Sequence, residues 1–301
     1  MKAVNEDEIR EIAEMEEERQ ALSQPKKLLI LIPAYNEEKN LEKVIADVRE
    51  AVSGSPVHTD ILVVNDGSTD GTADIIYRTG VDHTTNVYNM GYGSCLQVGY
   101  KYAVRRGYQF VIQMDGDGQH DVCNIPCILK ELEMPDQDGY TPDIVLGCRF
   151  MPGSTPFPVS PAKKFAYWWF RKLIGSVTSR KDIYDPTTGL QGLNRRAFAF
   201  YSMCGHFDVR FPDANMLTQM LLLDFRIRQI PAVMHARTAG KSMHTGLLSQ
   251  ADYMIHMTLS LWAVGIRVNC LRLDRDSAAL MRRIYPDNRV SAVERDRFFD
   301  M

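Results

Sequence analysis

Apolar and polar positions fall in repeating blocks along the chain. Leu28 to Ile32 is a continuous apolar run, the mark of a parallel strand buried on both faces. The polar stretch Pro33-Ala34-Tyr35-Asn36-Glu37-Glu38 follows. Leu41, Val44, Ile45 and Val48 then recur at helical spacing, with Asn36 or a near neighbour expected as the cap. The same order returns. Ile61 to Val64 reads as a buried strand, Asn65 to Thr72 as a polar loop, and Ile75 and Ile76 as the apolar side of a helix. The glycine loop Asn89-Met90-Gly91-Tyr92-Gly93 precedes a helix whose apolar positions are Leu96, Val98, Tyr102 and Val104. Phe110 to Met114 is a strand that runs straight into Asp115-Gly116-Asp117-Gly118-Gln119-His120, and Ile144 to Leu146 is another, ending at Gly147-Cys148-Arg149. Strands alternating with helices predict an α/β fold, a doubly wound and mostly parallel sheet with helices on both faces. Ligands of such sheets bind at the carboxyl ends of the strands. The loops 33–37, 65–72, 89–93 and 115–120 are therefore expected to converge on one crevice.

Beyond Arg149 the pattern changes. Pro152, Pro156, Pro158 and Pro161 mark an irregular loop. Lys163 to Lys172 reads as a helix whose aromatic block, Phe165, Tyr167, Trp168, Trp169 and Phe170, has basic flanks. Asp185-Pro186-Thr187-Thr188-Gly189-Leu190 is a turn before a helix from about Arg196. Phe211-Pro212-Asp213 starts another helix through Leu223, and Phe225 to Val233 alternates like a half-exposed strand. Arg237 to His244 is a basic loop. The remainder is helical, with a long apolar face from Tyr253 to Val268. At the other end, Asn5 to Leu22 is a Glu- and Arg-rich helix stopped by Pro25. The expected division is an arm over 1–24, the main domain over 25–245 and a helical segment over 246–301.

Charge and cysteine usage narrow the class. A net charge of −3 over 301 residues excludes a general nucleic-acid binder. The acidic start lacks a signal-peptide pattern, and the apolar stretch from Met257 to Ile266 is too short to span a bilayer. The scattered cysteines suit a reduced cytosolic setting. Cys123 and Cys127 read as core-facing helix neighbours rather than metal ligands.

Asp115 and Asp117 leave their strand end together, both read as solvent-accessible, and Gly116 and Gly118 let the backbone turn and approach a ligand. Crowded carboxylates repel unless a cation sits between them. A hard divalent ion, Mg²⁺ or Mn²⁺, is the expected cofactor, and it would in turn bind a diphosphate. Asp66, at another strand end, can accept hydrogen bonds from a base or ribose. Arg149, Arg237 and Lys241 are expected to supply positive charge to phosphates. Should the reaction need a general base, Asp213 and Asp185 are the candidates; either could equally be an N-cap or turn residue.

The motifs Ile32-Pro33-Ala34-Tyr35-Asn36-Glu37, Val64 to Thr72, Met114 to His120, Gly147-Cys148-Arg149 and Asp185 to Gly189, in that order, resemble family-2 inverting glycosyltransferases of the GT-A fold. Within that family they are most like the branch of dolichyl-phosphate mannose synthases and undecaprenyl-phosphate sugar transferases. The resemblance covers roughly residues 26 to 245. It implies that Pro33, Tyr35, Glu37 and Asp66 line the nucleotide, with Gly93 among the substrate-binding residues. It further implies that Asp115 and Asp117 bind the metal and sugar diphosphate, and that Gln119 supports their loop. Asn65 stands where many relatives carry a second Asp, Asp121 follows His120 in place of the usual Pro, and the C-terminal membrane spans of many lipid-linked relatives have no counterpart here. The expected partners are a nucleoside-diphosphate sugar and a polyprenyl phosphate, with no nucleic acid. Attachment is expected to be peripheral, at the cytoplasmic face of the cell membrane, or through a membrane partner protein. Lys163 to Lys172 could lay aromatics into the interface while its cations meet anionic groups. The alternatives are transfer to a hydroxyl of a glycan or protein, and a non-catalytic nucleotide-sugar-binding subunit. A nicotinamide-binding Rossmann fold does not fit, because Gly91-x-Gly93 is too short for its fingerprint.

Overall fold

Alternate residues of β1 (Lys27–Ala34) enter two different cores. Leu28, Ile30 and Ile32 join one, while Leu29 and Leu31 join the other. Period-two geometry makes this unavoidable for a central strand covered on both sides. The computed structural model describes residues 26–155, 159–236 and 247–286. The arm over 1–24 and the basic loop carrying Arg237 and Lys241 lie outside the described residues.

One seven-stranded sheet has the order β3-β2-β1-β4-β6-β5-β7. Its other strands are β2 (His58–Asn65), β3 (Asp82–Thr85), β4 (Phe110–Gln113), β5 (Ile144–Cys148), β6 (Gln191–Asn194) and β7 (Ile227–Pro231). Only β6 runs antiparallel, between β4 and β5. One core packs α1 (Leu41–Val52), α2 (Thr72–Thr79) and α4 (Asn124–Glu133) on the sheet. The other face carries α3 (Tyr92–Arg106), α5 (Pro161–Thr178), α6 (Arg195–Ser202), α7 (Ala214–Leu222), α8 (Leu247–Gly265) and α9 (Arg275–Ile284). A π-helical turn, Ile266–Cys270, prolongs α8. Ala34 pairs with Asn65, so β1 and β2 end level, while β4 ends at Gln113 opposite Leu31, inside the sheet end.

Several local expectations need correction. Strands β3 and β6 escape the pattern because each is four residues long and mostly polar. Helix α3 buries Cys95, Leu96, Gly99, Tyr100 and Ala103, while Val98, Tyr102 and Val104 are only partly covered. The small residues face inward because the helix lies very close to the sheet: a Cβ at Gly99 would come within 2.3 Å of Leu31. The cap of α1 is Asn40 rather than Asn36, and its side chain does not bond the first-turn N–H groups of the helix. Cys123 and Cys127 are exposed, not core-facing.

A buried ion pair fastens the β5 edge to α6. Asp143 has no exposure, and it accepts from Arg196 Nε and Nη2 at 2.8 Å, from Asn194 Nδ2 at 2.8 Å and from the Arg226 N–H at 2.7 Å. Removing one partner of such a pair strands a charge away from water. Arg196→Met is expected to lower unfolding free energy by about 3–5 kcal/mol, read from urea denaturation; a loss below about 1 kcal/mol would show that the pair behaves like a surface contact.

Candidate functional site

The loops at the carboxyl ends of β1, β2 and β4 are stitched to one another. Asn36 sits at φ 55°, and its backbone N–H donates to Ser68 Oγ at 3.0 Å while its Oδ1 accepts from the Thr69 N–H at 2.8 Å. Glu37 donates its N–H to Thr72 Oγ1 at 2.9 Å, and its carboxylate accepts from Asn40 Nδ2 at 2.8 Å. Pro33 is buried beneath them and Tyr35 is 45% exposed. Asn65 Oδ1 accepts from the Ser68 N–H, so this amide caps its own turn.

Asp66 is buried, and its carboxylate is already engaged. It accepts from Asn86 Nδ2 and from the N–H groups of Met90 and Gly91, each at 2.8 Å. This carboxylate therefore fixes the glycine loop. Gly93 is packed against backbone: a Cβ there would lie 2.6 Å from the Val209 carbonyl oxygen. Only glycine permits so close an approach.

The acidic loop has one accessible carboxylate and one buried one. The Asp115 side chain is 32% exposed. Asp117 is only 2% exposed, contrary to the expectation of an open pair, and accepts from the Gln119 N–H at 2.9 Å. The turn folds back on itself, which draws the second carboxylate under the loop. The Asp115 N–H donates to His120 Nδ1 at 3.0 Å, so Nδ1 carries a lone pair. Gln119 joins the loop to His235, its carbonyl accepting from the His235 N–H at 2.8 Å. Among the described residues no group of three or more His, Cys, Asp or Glu side chains is arranged to hold a metal. Two carboxylates fit a different kind of site, in which a Mg²⁺-like ion takes its remaining oxygens from substrate phosphates and water.

Arg149 and Asp185 form one unit. Asp185 has no exposure, and it accepts from Arg149 Nε and Nη2 at 2.7 Å and from the Arg149 N–H at 3.0 Å. Arg149 Nη2 also donates to Thr187 O and Oγ1 at 3.0 Å, and the guanidinium lies 5.3 Å from the centre of the Tyr167 ring. Burial opposes the charged form of Arg149, but the hydrogen bond and charge of Asp185 outweigh it and hold its pKa up. Asp213, at the start of α7, accepts from Tyr253 of α8 at 2.7 Å. Burial raises its carboxyl to about 6, against the pull of Tyr253 and Arg149 and with help from Asp115 and Asp185. Tyr92 donates to Asp115 Oδ1 at 3.1 Å and feels the charge of both Asp115 and Asp213.

Asp115, Arg149, Asp185 and Asp213 thus lie close enough to feel one another's charge, Asp117 and Gln119 share the acidic loop with Asp115, and Asp66 anchors the neighbouring glycine loop. Arg237 and Lys241 lie outside the described residues. Sequence reasoning missed Tyr92, Tyr253 and His120 as parts of the site. Tyr92 was visible only as the middle of a glycine pair. Tyr253 was submerged in an apolar helical face.

Residues 29–201 match the family model described as glycosyl transferase family 2. An undecaprenyl-phosphate mannosyltransferase of Micrococcus luteus is 27% identical over 82% of this chain and 98% of its own length. A dolichyl-phosphate beta-glucosyltransferase of Trichomonas vaginalis is 32% identical over 78% of this chain and 75% of its own. Among solved structures, glucosyl-3-phosphoglycerate synthase from Mycobacterium tuberculosis, in complex with Mn²⁺, uridine diphosphate and phosphoglyceric acid, superposes with a TM-score of 0.58. That likeness covers 84% of this chain and 81% of the other at 16% identity, and it supports a GT-A architecture. The match runs from β1 through α6 and takes in the loops that form the crevice, so the chain belongs to glycosyl transferase family 2 and is a glycosyltransferase.

Proposed function

We propose that this glycosyltransferase is metal-dependent and inverting, and that it moves a hexose from a nucleoside-diphosphate sugar to a polyprenyl phosphate at a membrane surface. On the donor side, Pro33, Tyr35, Glu37 and Asp66 are the nucleotide wall, and Asp115 and Asp117 are the chain's ligands for Mg²⁺ or Mn²⁺. The ion, when bound, offsets charge that develops on the diphosphate leaving group. The loop from Asp115 to His120 contributes by holding those carboxylates at the end of β4. Arg149 is kept in a fixed pose by Asp185 and Thr187, and its Nη1 has no partner among the described residues. That nitrogen is the donor we assign to a phosphate.

The observation that carries the lipid acceptor is a bare apolar surface on α5 and α8. Ile255, Leu259, Trp262 and Ile266 recur at helical spacing and are 62%, 65%, 60% and 51% exposed. On α5, Phe170 is buried, Tyr167 packs on Arg149, and Trp169 donates to Thr258 Oγ1. Only Phe165 and Trp168 of the aromatic block remain exposed, beside Lys163, Lys164, Arg171 and Lys172. Aromatic and aliphatic groups rimmed by cations suit an anionic membrane surface. This surface supports peripheral attachment to a membrane, for which we take the cytoplasmic face, with a membrane partner protein as the other route. Among the described residues no single helix is long and apolar enough to cross a membrane.

A second acceptor class is favoured by one observation. Asp213, with its carboxyl near 6, is suited to take a proton from a hydroxyl of a glycan or protein. Asp185 is not, being sealed in its ion pair. A phosphate acceptor is already ionised and needs no base.

Three outcomes are expected. Asp115→Ala should abolish transfer with little change in thermal midpoint, because the side chain is partly in solvent; Asp117→Ala should abolish it and also lose stability, because that carboxylate is buried. Near-normal turnover in metal-free buffer would reject the metal assignment. Labelled donor supplied with liposomes carrying undecaprenyl phosphate should leave label in the extracted lipid; label confined to the aqueous phase would reject the lipid acceptor. Asp213→Asn should cost transfer to a polyprenyl phosphate less than about tenfold, whereas loss of a true general base costs about 10²–10⁴-fold. The sign of its stability effect also follows. A folded-state carboxyl raised to about 6 penalises the native protein above that pH. The Asn variant should therefore be the more stable at neutral pH, with the advantage fading as pH falls through 6 and gone below about 4.

A further inference from the structure

Three motifs interlock at Asp115. The glycine loop reaches it through the Tyr92 hydroxyl, which donates to Oδ1 at 3.1 Å. The turn after Asp185 reaches it through Gly189, where a Cβ would lie 3.3 Å from both Asp115 Oδ2 and the Tyr92 hydroxyl. The acidic loop closes on it through His120, whose Nδ1 accepts from the Asp115 N–H and whose Nε2 lies 3.7 Å from Oδ2. Oδ1 is thus held by a phenol, and Oδ2 has no hydrogen-bond donor within ordinary range among the described residues.

Tyr92 is itself fixed from the other end. Asp66 accepts from the N–H groups of Met90 and Gly91, the two residues before it, and the carbonyls of Asp208 and Val209 press on Gly93, the residue after it. The phenol therefore has little freedom to follow Asp115 should that side chain rotate. We propose that Tyr92 is a positioning residue: a strut anchored by Asp66 whose hydroxyl turns Asp115 so that Oδ2 is the oxygen presented to a divalent ion. This rests on the assignment of Asp115 as a metal ligand. It gives Asp66 a second duty, since the carboxylate on the nucleotide side sets the pose of the carboxylate on the metal side. Partners of this kind that orient a metal-binding carboxylate typically change metal affinity about 10–100-fold.

The test measures Mn²⁺ binding by the full chain in the presence of saturating uridine diphosphate, with free Mn²⁺ counted by electron paramagnetic resonance. Thermal midpoints are recorded alongside. Tyr92→Phe keeps the ring and removes only the hydroxyl, and it should weaken Mn²⁺ at least about tenfold. Asp66→Asn should weaken it comparably, and the double variant should be no weaker than the worse single one, because both changes release the same strut. Should Asp66→Asn unfold, Gly189→Ala replaces it, since the added methyl meets Asp115 Oδ2 and the Tyr92 hydroxyl directly. Unchanged Mn²⁺ affinity in Tyr92→Phe would overturn the proposal, as would full additivity of the double variant. Parent protein that binds no Mn²⁺ fails differently: it overturns the metal assignment itself, and the strut falls with it.

Discussion

The hydrogen bonds that hold five carboxylates in place, Asp66, Asp115, Asp117, Asp185 and Asp213, are the constraint on which the site depends. Four are held by donors from other segments of the fold, and Asp117 by its own turn. Asp66 takes two backbone N–H groups and an amide, Asp117 the Gln119 N–H, Asp185 the Arg149 fork, Asp213 the Tyr253 phenol and Asp115 the Tyr92 phenol. Hydrogen bonds to charged groups are the strong ones, and here they set direction as much as energy. Without those donors the carboxylates would be free to rotate. The donors come from the β3–α3 loop and the first residue of α3, the acidic loop itself, the residue after β5 and α8, so the site is assembled only when the sheet and the helices α3 and α8 are in register.

The parts of this arrangement readable from sequence are those with a local signature. Leu28 to Ile32 could be little other than a central strand, and Asp115 to His120 little other than a functional turn, because apolar runs and Asp-Gly patterns carry their geometry with them. What escaped is what depends on distance. Strand β6 has four residues, and its place between β4 and β5 is fixed by ladders with segments roughly 50 and 80 positions away. Asp66 looked like an open acceptor because nothing nearby in sequence predicts that Met90 and Gly91 would use it. Arg149 and Asp185 were assigned separate duties, phosphate and base, yet they stand as one bidentate pair. Asp117 looked as open as Asp115, because a two-residue spacing says nothing about which carboxylate the turn folds under.

Helices α5 and α8 work on both faces. Inward, α5 lays Tyr167 over Arg149 and α8 puts Tyr253 on Asp213. Trp169 and Thr258 bind the two helices to each other. Outward, the same helices expose Phe165, Trp168, Ile255, Leu259, Trp262 and Ile266. A hydrophobic face this long is a liability in water unless something covers it. Its inner neighbours are Arg149 and Asp213, which the proposed reaction places beside the acceptor. A surface that lies on lipid would therefore set the acceptor phosphate and the reacting sugar on the two ends of one short packed layer.

Charge accounting supports the same chemistry from the donor side. Arg149 and Asp185 cancel, which leaves Asp66, Asp115, Asp117 and the partly titrating Asp213 as unbalanced negative charge beside the proposed diphosphate. At separations of 4 Å, each like-charge contact costs about 4 kcal/mol even at an effective dielectric of 20. The backbone donors on Asp66 and Asp117 moderate that cost without changing its sign. A diphosphate enters such a crevice only with cations beside it. Arg149 Nη1 adds a hydrogen-bond donor rather than net charge, the basic residues Arg237 and Lys241 are candidates from sequence, and a divalent ion on Asp115 is the most compact source. The acidic turn and the metal-bridged donor are in this sense one requirement: carboxylates that would repel a bare diphosphate become selective for one that arrives with its ion.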